Sequence, residues 1–227
     1  MSDQDNLSVL YGEDLSKFVV YGDLNCPFCF ALHERFSAWN LLSRVEWRLI
    51  VHAPELSEAA FSLEDESLLA NEVFAIHHRA PDVSVSLPKR RPGSSLATRL
   101  VMAISQYASD KAPELRLALY RALWQDGLDL SQPGVLESTL RKSGLEKFLD
   151  ANSKAETNNG NSMERWEFWK LLGPEPKELV LWQNRWETDD AFDRRIPLIE
   201  NTQTNALLLG LPSEEALYQF LLSRRAH

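Results

Sequence analysis

The stretch Phe18-Val19-Val20-Tyr21-Gly22-Asp23-Leu24-Asn25-Cys26-Pro27-Phe28-Cys29 decides the fold of this chain. Its first four residues form a short apolar run, which predicts a buried strand. Pro27 then stands where a helix would begin, because its fixed φ and missing N–H group suit the first helical position. The helical pattern continues to about Ser43, and residues 45–51 alternate between apolar and polar side chains as a second strand does. A strand, a helix and a second strand in this order indicate a parallel sheet.

The rest of the chain divides into a helical region and a second set of strands. From about Pro54 to Lys177, three apolar stripes at helical spacing replace the strand-like runs. The stripes are Leu96, Leu100, Val101 and Ile104; Leu115, Leu119, Ala122 and Leu123; and Val135, Leu136, Thr139 and Leu140. The polar residues 152–162 are predicted to be a loop. Strand patterns return at residues 196–199 and 206–210, and Pro212-Ser213 begins a last helix.

Cys26 and Cys29 are the only two cysteines of the chain, and they open the first predicted helix. Three helical steps separate their Cα atoms by about 5 Å, which lies within disulfide range. Such a bridge closes almost no loop, so the pair favours a redox or metal-binding role over a structural one. Cys26 lies at the helix N-terminus, where an anion is stabilised, and is the predicted nucleophile; Cys29 is the predicted resolving thiol. An inert, packed pair of thiols is the alternative.

At these residues the chain resembles the thioredoxin superfamily, and within it the DsbA-like branch with a helical insertion, the FrnE-type group. Residues 21–29 are similar to the active-site segment of that branch. The resemblance covers nearly the whole chain through residues 95–100, residues 127–136, and the Ile196-Pro197 pair with the strand and helix that follow.

The fold that this resemblance implies is an α/β, thioredoxin-like fold with an inserted all-helical domain. The thioredoxin-like domain is discontinuous and comprises residues 1–55 and 178–227. The helical insertion comprises residues 56–177.

The activity that the resemblance implies is thiol–disulfide exchange at the Cys26-Pro27-Phe28-Cys29 centre. Pro197 is the implied cis-proline that faces the cysteines, and Ile196 and Arg195 precede it; a trans proline at a strand start is the alternative. No cofactor is expected beyond the redox-active disulfide, with glutathione as a possible co-substrate and a protein or glutathione as the thiol or disulfide partner. DsbA itself has His where this chain has Phe28, and Pro27-Phe28 is closer to glutaredoxins, so the direction of electron flow stays open.

Three further sets of residues are candidates for the site. Asp23 either accepts a proton during exchange or only caps its loop. Arg194 and Arg195 either stabilise the thiolate or a glutathione carboxylate, or form a solvated pair. His33 shares helical spacing with the two cysteines, which gives three possible zinc ligands, but the chain has no second cysteine pair and its other histidines have no compelling spacing, so no metal site is predicted.

Two rival functions remain open. Glutathione-dependent isomerases of the 2-hydroxychromene-2-carboxylate type and kappa-class transferases resemble this architecture, but they have a serine where Cys26 stands. A metal-binding or chaperone-like module is the other rival. Trp166, Trp169, Trp182 and Trp186 either pack the helical region against the sheet or form a groove for an unfolded substrate.

The composition of the chain limits the classes of binding partner and the cellular compartment that we expect. Acidic residues outnumber basic ones by 33 to 24, which gives a net charge of −9 and disfavours nucleic acids and anionic membranes as partners. The short basic cluster Lys89-Arg90-Arg91, between two prolines, is predicted to be a solvated loop. Residues 1–16 show no signal-peptide pattern, and no apolar run approaches about 18 residues. We therefore expect a cytoplasmic protein.

Overall fold

The computed structural model describes residues 9–53, 62–152, 170, 172–173 and 175–223. Its centre is a four-stranded sheet with the strand order β2-β1-β3-β4. β1 (Phe18–Gly22) pairs in parallel with β2 (Glu46–Leu49), as the strand–helix–strand pattern predicts. β3 (Leu198–Asn201) runs antiparallel to β1, and β4 (Ala206–Leu209) runs antiparallel to β3. Two segments that are far apart in the chain therefore build one sheet.

Helices pack against both faces of the sheet, and within the described residues the segments between β2 and β3 are mainly helical. Those of the described residues are α1 (Pro27–Ala38), α2 (Leu63–Arg79), α3 (Ser95–Tyr107), α4 (Ala112–Trp124), α5 (Pro133–Lys142), α6 (Glu146–Asn152), α7 (Lys177–Thr188) and α8 (Glu214–Leu222). The three apolar stripes of the sequence lie on α3, α4 and α5, and all their residues except Val135 are buried. The helical prediction for these segments is confirmed.

Two predicted boundaries are wrong by a few residues. α1 ends at Ala38 and not near Ser43, because Asn40 adopts a positive φ of 53° and Leu41 N–H donates to Phe36 O at 2.8 Å, which closes the helix. The apolar spacing predicted a longer helix because Trp39 and Leu42, which lie beyond the end of α1, still pack against the core. β3 begins at Leu198, two residues later than predicted, since Pro197 has no N–H group for the ladder.

Alternate residues of β1 face opposite sides of the sheet. Phe18 and Val20 belong to a core cluster with residues of α1 and α8, such as Phe36 and Leu217. Tyr21 belongs to another cluster, which includes Trp186 of α7. The sheet is therefore covered on both faces.

The largest core cluster joins the two cysteines to the helical region. It contains Cys26 and Cys29 together with Leu100 of α3, Leu119 of α4 and Leu136 of α5. The helices between β2 and β3 thus pack directly behind the cysteine helix. The domain limits 1–55, 56–177 and 178–227 stay a prediction.

Of the four clustered tryptophans, Trp186 is buried and Trp182 packs against the same cluster. These two follow the packing alternative. Trp166, Trp169 and the predicted loop residues 153–162 lie outside the described residues. Among the described helices, each is too short or too polar to span a lipid bilayer.

Candidate active site

Cys26 and Cys29 lie where β1 gives way to α1. Cys26 is the N-cap residue of α1, and Pro27 occupies the first helical position. Cys26 N–H donates to Asp23 O at 3.2 Å, which folds the preceding loop into a turn, and Phe30 N–H donates to Cys26 O at 3.1 Å. Both cysteines are free thiols. Cys26 is 5% exposed and Cys29 is fully buried, so solvent reaches Cys26 first.

The two sulfurs differ strongly in acidity. They are hydrogen-bonded to each other, and the backbone N–H of Cys29 also donates to the Cys26 sulfur. Burial raises the pKa of Cys26, but these hydrogen bonds and the charge of His52 outweigh burial and lower the pKa to about 7. Burial raises the pKa of Cys29 well above its ordinary value, and the hydrogen bond with Cys26 raises it further. Near neutral pH this arrangement favours a thiolate on Cys26 and a thiol on Cys29.

Asp23 forms a pair with His52 beside the cysteines. The Asp23 side chain is fully buried, and its Oδ1 accepts the N–H of Asn25 at 3.2 Å. Asp23 therefore caps its loop, one of the two roles left open by the sequence. Its Oδ2 accepts the backbone N–H of His52 at 2.8 Å and lies 2.8 Å from His52 Nδ1. Burial lowers the pKa of His52, but the hydrogen bond and negative charge of Asp23 outweigh burial and raise it.

Arg91 corrects the prediction of a solvated basic loop. Lys89 and Arg90 are exposed, but Arg91 is partly buried and forms an ion pair with Glu72 of α2. Burial lowers the pKa of Arg91, while the negative charges of Cys26 and Asp23 act in the opposite direction. Arg91 thus interacts electrostatically with both Cys26 and Asp23.

Helix α4 fixes the loop before the cysteines from behind. Tyr120 Oη donates to Asp23 O at 3.1 Å, and Trp124 Nε1 donates to Leu24 O at 2.9 Å. Gly22 lets the chain pass close to these side chains, because a Cβ atom there would lie 3.3 Å from Cys29 Sγ and 3.5 Å from Tyr120 Oη. The helical region therefore determines where the loop and the buried sulfur lie.

The Ile196–Pro197 peptide bond is cis, as the resemblance implied. Pro197 is buried, and Ile196 packs against the cluster that contains both cysteines. That Pro197 faces the sulfurs stays a prediction. The Arg195 side chain is 64% exposed and forms an ion pair with Asp193, which favours the solvated alternative over contact with the thiolate.

Phe28 and His33 complete the candidates on α1. Phe28 is partly buried, and the Arg79 guanidinium lies 5.9 Å from the centre of its ring. His33 is fully buried, and its Nε2 accepts the Nε–H of Arg116 at 2.8 Å. Among the residues that the structure describes, no group of three or more His, Cys, Asp or Glu residues is arranged to hold a metal ion.

Sequence reasoning missed His52, Arg91 and Tyr120 as parts of this site. Tyr120 belongs to a predicted helix and Arg91 to a predicted loop, so nothing in their local patterns indicated the cysteines. A signal did exist for His52. It directly follows the predicted strand 45–51, and the carboxyl ends of neighbouring parallel strands meet at one edge of a sheet.

Comparisons with solved structures bear on the fold. A "probable DsbA oxidoreductase" from Streptomyces coelicolor is 16% identical, with a TM-score of 0.61 over 90% of this chain and 87% of that chain. A protein of Nitrosomonas europaea, provisionally named a protein disulfide isomerase, is 14% identical, with a TM-score of 0.62 over 90% of this chain and 94% of that chain. A 2-hydroxychromene-2-carboxylate isomerase is 14% identical, with a TM-score of 0.53 over 89% of this chain and 91% of that chain.

Sequence comparison decides the family. No curated protein sequence matches the chain. Residues 17–165, about two thirds of the chain, match the DSBA-like thioredoxin domain. This match and the four-stranded, helix-rich architecture shared with the solved structures confirm the predicted thioredoxin-like fold. The chain belongs to the DSBA-like thioredoxin domain family.

Proposed function

We propose that this protein is a thiol–disulfide oxidoreductase whose redox centre is Cys26-Pro27-Phe28-Cys29. The observation that carries the proposal is the placement of two free thiols one helical turn apart, with Cys26 at the N-cap of α1 and Cys29 fully buried behind it. The pKa of Cys26, at the start of α1, is lowered to about 7, whereas that of Cys29, one turn further, is raised. A nucleophilic thiolate beside a protonated, buried thiol is the arrangement that two-step disulfide exchange requires.

The exchange proceeds in two balanced steps. The Cys26 thiolate attacks one sulfur of a substrate disulfide, the substrate S–S bond breaks, and one substrate thiolate leaves. Cys29 then attacks the Cys26 sulfur of the mixed disulfide, so the second substrate thiolate leaves and the Cys26–Cys29 disulfide forms. The substrate gains two electrons and two protons; Cys29 supplies one proton, and the second comes from an acidic group beside the site or from the solvent. The reverse sequence oxidises a substrate dithiol.

The substrate is proposed to be a protein or a small disulfide, with glutathione as the co-substrate that returns the centre to its starting state. A cytoplasmic location remains part of the proposal, supported by a chain whose only two cysteines are three residues apart. No cofactor other than the cysteine pair is proposed.

A glutathione-dependent isomerase is the second candidate. It is favoured by the fold shared with the 2-hydroxychromene-2-carboxylate isomerase. The cysteine pair argues against it, because an isomerase of this type has no need of a resolving thiol. Isomerisation in the presence of glutathione, with unchanged rate in Cys29→Ser, would favour this candidate.

A matched pair of variants tests the proposal. Cys26→Ser removes the nucleophile, so we expect loss of nearly all glutathione-disulfide reduction. Cys29→Ser retains the nucleophile but cannot resolve the mixed disulfide, so we expect a covalent glutathione adduct in the intact-mass spectrum. Activity of Cys26→Ser within a few-fold of the unmodified protein, or absence of the adduct in Cys29→Ser, contradicts the proposal.

A redox titration of the Cys26–Cys29 couple in glutathione buffers then decides the direction. A potential at or below the cytosolic glutathione value indicates a reductase, and a much higher potential indicates an oxidase.

A further inference from the structure

His52 is a titratable group beside the two cysteines. It follows β2 at the edge where the carboxyl ends of β1 and β2 meet, and its side chain is 23% exposed. The charges of His52 and Cys26 act on each other: His52 lowers the pKa of Cys26, and Cys26 contributes to the raised pKa of His52. Asp23, which is hydrogen-bonded to His52, also accepts the Cys26 N–H through its backbone O at 3.2 Å, so the imidazole lies beside the loop that carries the reacting sulfur and is partly open to solvent.

Asp23 determines which imidazole nitrogen is available. Its Oδ2 accepts the backbone N–H of His52 and lies 2.8 Å from His52 Nδ1. A carboxylate at this distance makes Nδ1 the proton donor, so Nε2 is the nitrogen that can exchange a proton with another group. Asp23 thus contacts both the backbone N–H and the ring Nδ1 of His52, and the two contacts fix the orientation of the ring.

The other charged groups around the sulfurs are less suited to moving a proton. Asp23 is fully buried, and its two oxygens already accept hydrogen bonds from Asn25 and His52. Arg91 is paired with Glu72, and a guanidinium does not release its proton near neutral pH. Burial raises the pKa of Tyr120, the titratable group that faces the sulfurs from α4, and its hydroxyl donates to Asp23 O.

We propose that His52 carries the protons of thiol–disulfide exchange in this protein, and that Asp23 positions it. The proposal rests on the function proposed above. In the first step, the substrate thiolate that leaves takes a proton from His52 Nε2. In the second step, Nε2 receives the proton of Cys29 as Cys29 attacks the Cys26 sulfur, and passes it to the second leaving thiolate. Two protons thus reach two substrate thiols, and His52 ends the cycle neutral.

His52→Asn is the test variant, because the Asn side-chain amide keeps a donor near the position of Nδ1 for Asp23 but has no titrating nitrogen. His77→Asn is the matched control, since His77 is exposed on α2. The first measurement is the rate of Cys26 alkylation by iodoacetamide as a function of pH. Loss of the imidazolium charge should raise the midpoint by about one pH unit in His52→Asn and leave it unchanged in His77→Asn.

The second measurement separates proton transfer from charge stabilisation. Reduction rates near pH 7, each divided by the measured thiolate fraction, are compared for oxidised glutathione and for an anionic aromatic disulfide with nitrothiobenzoate leaving groups. The aromatic thiolate is a weak base and gains little from a proton as it leaves, whereas the more basic glutathione thiolate gains more. We expect His52→Asn to slow the glutathione reaction at least about tenfold more than the aromatic one. Equal slowing of both reactions overturns the proposal, even if the alkylation midpoint has shifted.

A third measurement uses the unmodified protein and so does not depend on a variant that folds. The pKa of His52, followed by NMR, should be higher in the dithiol form than in the disulfide form, because only the dithiol form has a thiolate beside the ring. The same pKa in both forms overturns the proposal. If the unmodified protein reduces no disulfide at all, the proposed function fails, and the alkylation midpoint still shows separately whether His52 interacts with the Cys26 proton.

Discussion

Two histidines lie near the cysteines, one on α1 and one at the end of β2, and their surroundings shift their pKa values in opposite directions. His52, at the end of β2, is paired with the carboxylate of Asp23 and partly exposed, and its pKa is raised. His33, on α1 itself, is fully buried and accepts a hydrogen bond from Arg116. Burial lowers the pKa of His33 well below its ordinary value, and the charge of Arg116 lowers it further. One histidine is thus suited to carry a charge, and the other is kept neutral.

The difference lies in the partner and not in the residue type. An acidic neighbour stabilises the imidazolium, whereas a basic neighbour and loss of water destabilise it. His33 also packs against the rings of Trp47 and Tyr120, with centroids 4.7 Å and 5.0 Å away. The His33 region therefore stabilises the fold between α1 and α4, while the His52 region has groups that change protonation near neutral pH.

The largest effect is expected from Arg116→Ala, which removes the partner of His33. Arg116 is buried, and its guanidinium lies 5.0 Å from the centre of the Trp47 ring. Its loss leaves a cavity and an unpaired His33 Nε2, so the free energy of unfolding should fall by about 2–4 kcal/mol in urea titrations. Arg121 lies on the same helix as Arg116 and forms an exposed ion pair with Glu34 of α1. Arg121→Ala should therefore lower the free energy of unfolding by at most about 1 kcal/mol. Equal costs for the two variants would show that the His33 pair is not structural.

Acidification should change the free energy of unfolding in opposite directions through His52 and through His33. The raised folded pKa of His52 gives stability that is fully present below its unfolded value of 6.5 and is lost as the pH rises through the folded pKa. The lowered folded pKa of His33 means that the unfolded chain binds the proton first below pH 6.5. His33 alone should then reduce the free energy of unfolding by up to about 1.4 kcal/mol per pH unit between about pH 6.5 and 5.

Urea titrations of two variants on both sides of pH 6.5 check this sign difference, because the His52 contribution changes above that pH and the His33 contribution changes below it. His33→Asn should flatten the loss of stability on acidification below about pH 6.5, and His52→Asn should remove the gain in stability on acidification towards about pH 6.5. Parallel pH profiles for the unmodified protein and both variants would contradict the assigned protonation states.

The smallest effect is expected from Phe28→His, which adds a histidine two residues after Cys26. The position is partly buried, so a new imidazole there should resemble His52 more than His33. By donating a hydrogen bond or carrying a charge it would stabilise the thiolate, and hence the reduced form. We expect the reduction potential to rise by a few tens of millivolts, since about 30 mV corresponds to about 1.4 kcal/mol. Phe28→Leu is the apolar control and should leave the potential nearly unchanged; a fall in Phe28→His would show that another group governs the sulfur.

The cysteine centre and its surroundings differ in how far the sequence predicts them. A strand, a proline at the first helical position and two cysteines one helical turn apart are local features, and local backbone preferences decide them. The pattern therefore located β1, the start of α1 and the parallel pairing with β2. The end of α1 was misplaced, because the turn at Asn40 keeps the apolar residues after it in the core.

The sequence by itself determined the fold class, the stripes of α3, α4 and α5, and the cysteine pair at a helix N-terminus. Only the tertiary structure decided that His52 meets Asp23 and that His33 meets Arg116, since these partners come from other elements of the chain. Protonation depends on distance to charges and on loss of water, and neither quantity exists before the chain is folded. The sequence therefore does not distinguish His33 from His52, and the opposite shifts of their pKa values are a property of the folded protein.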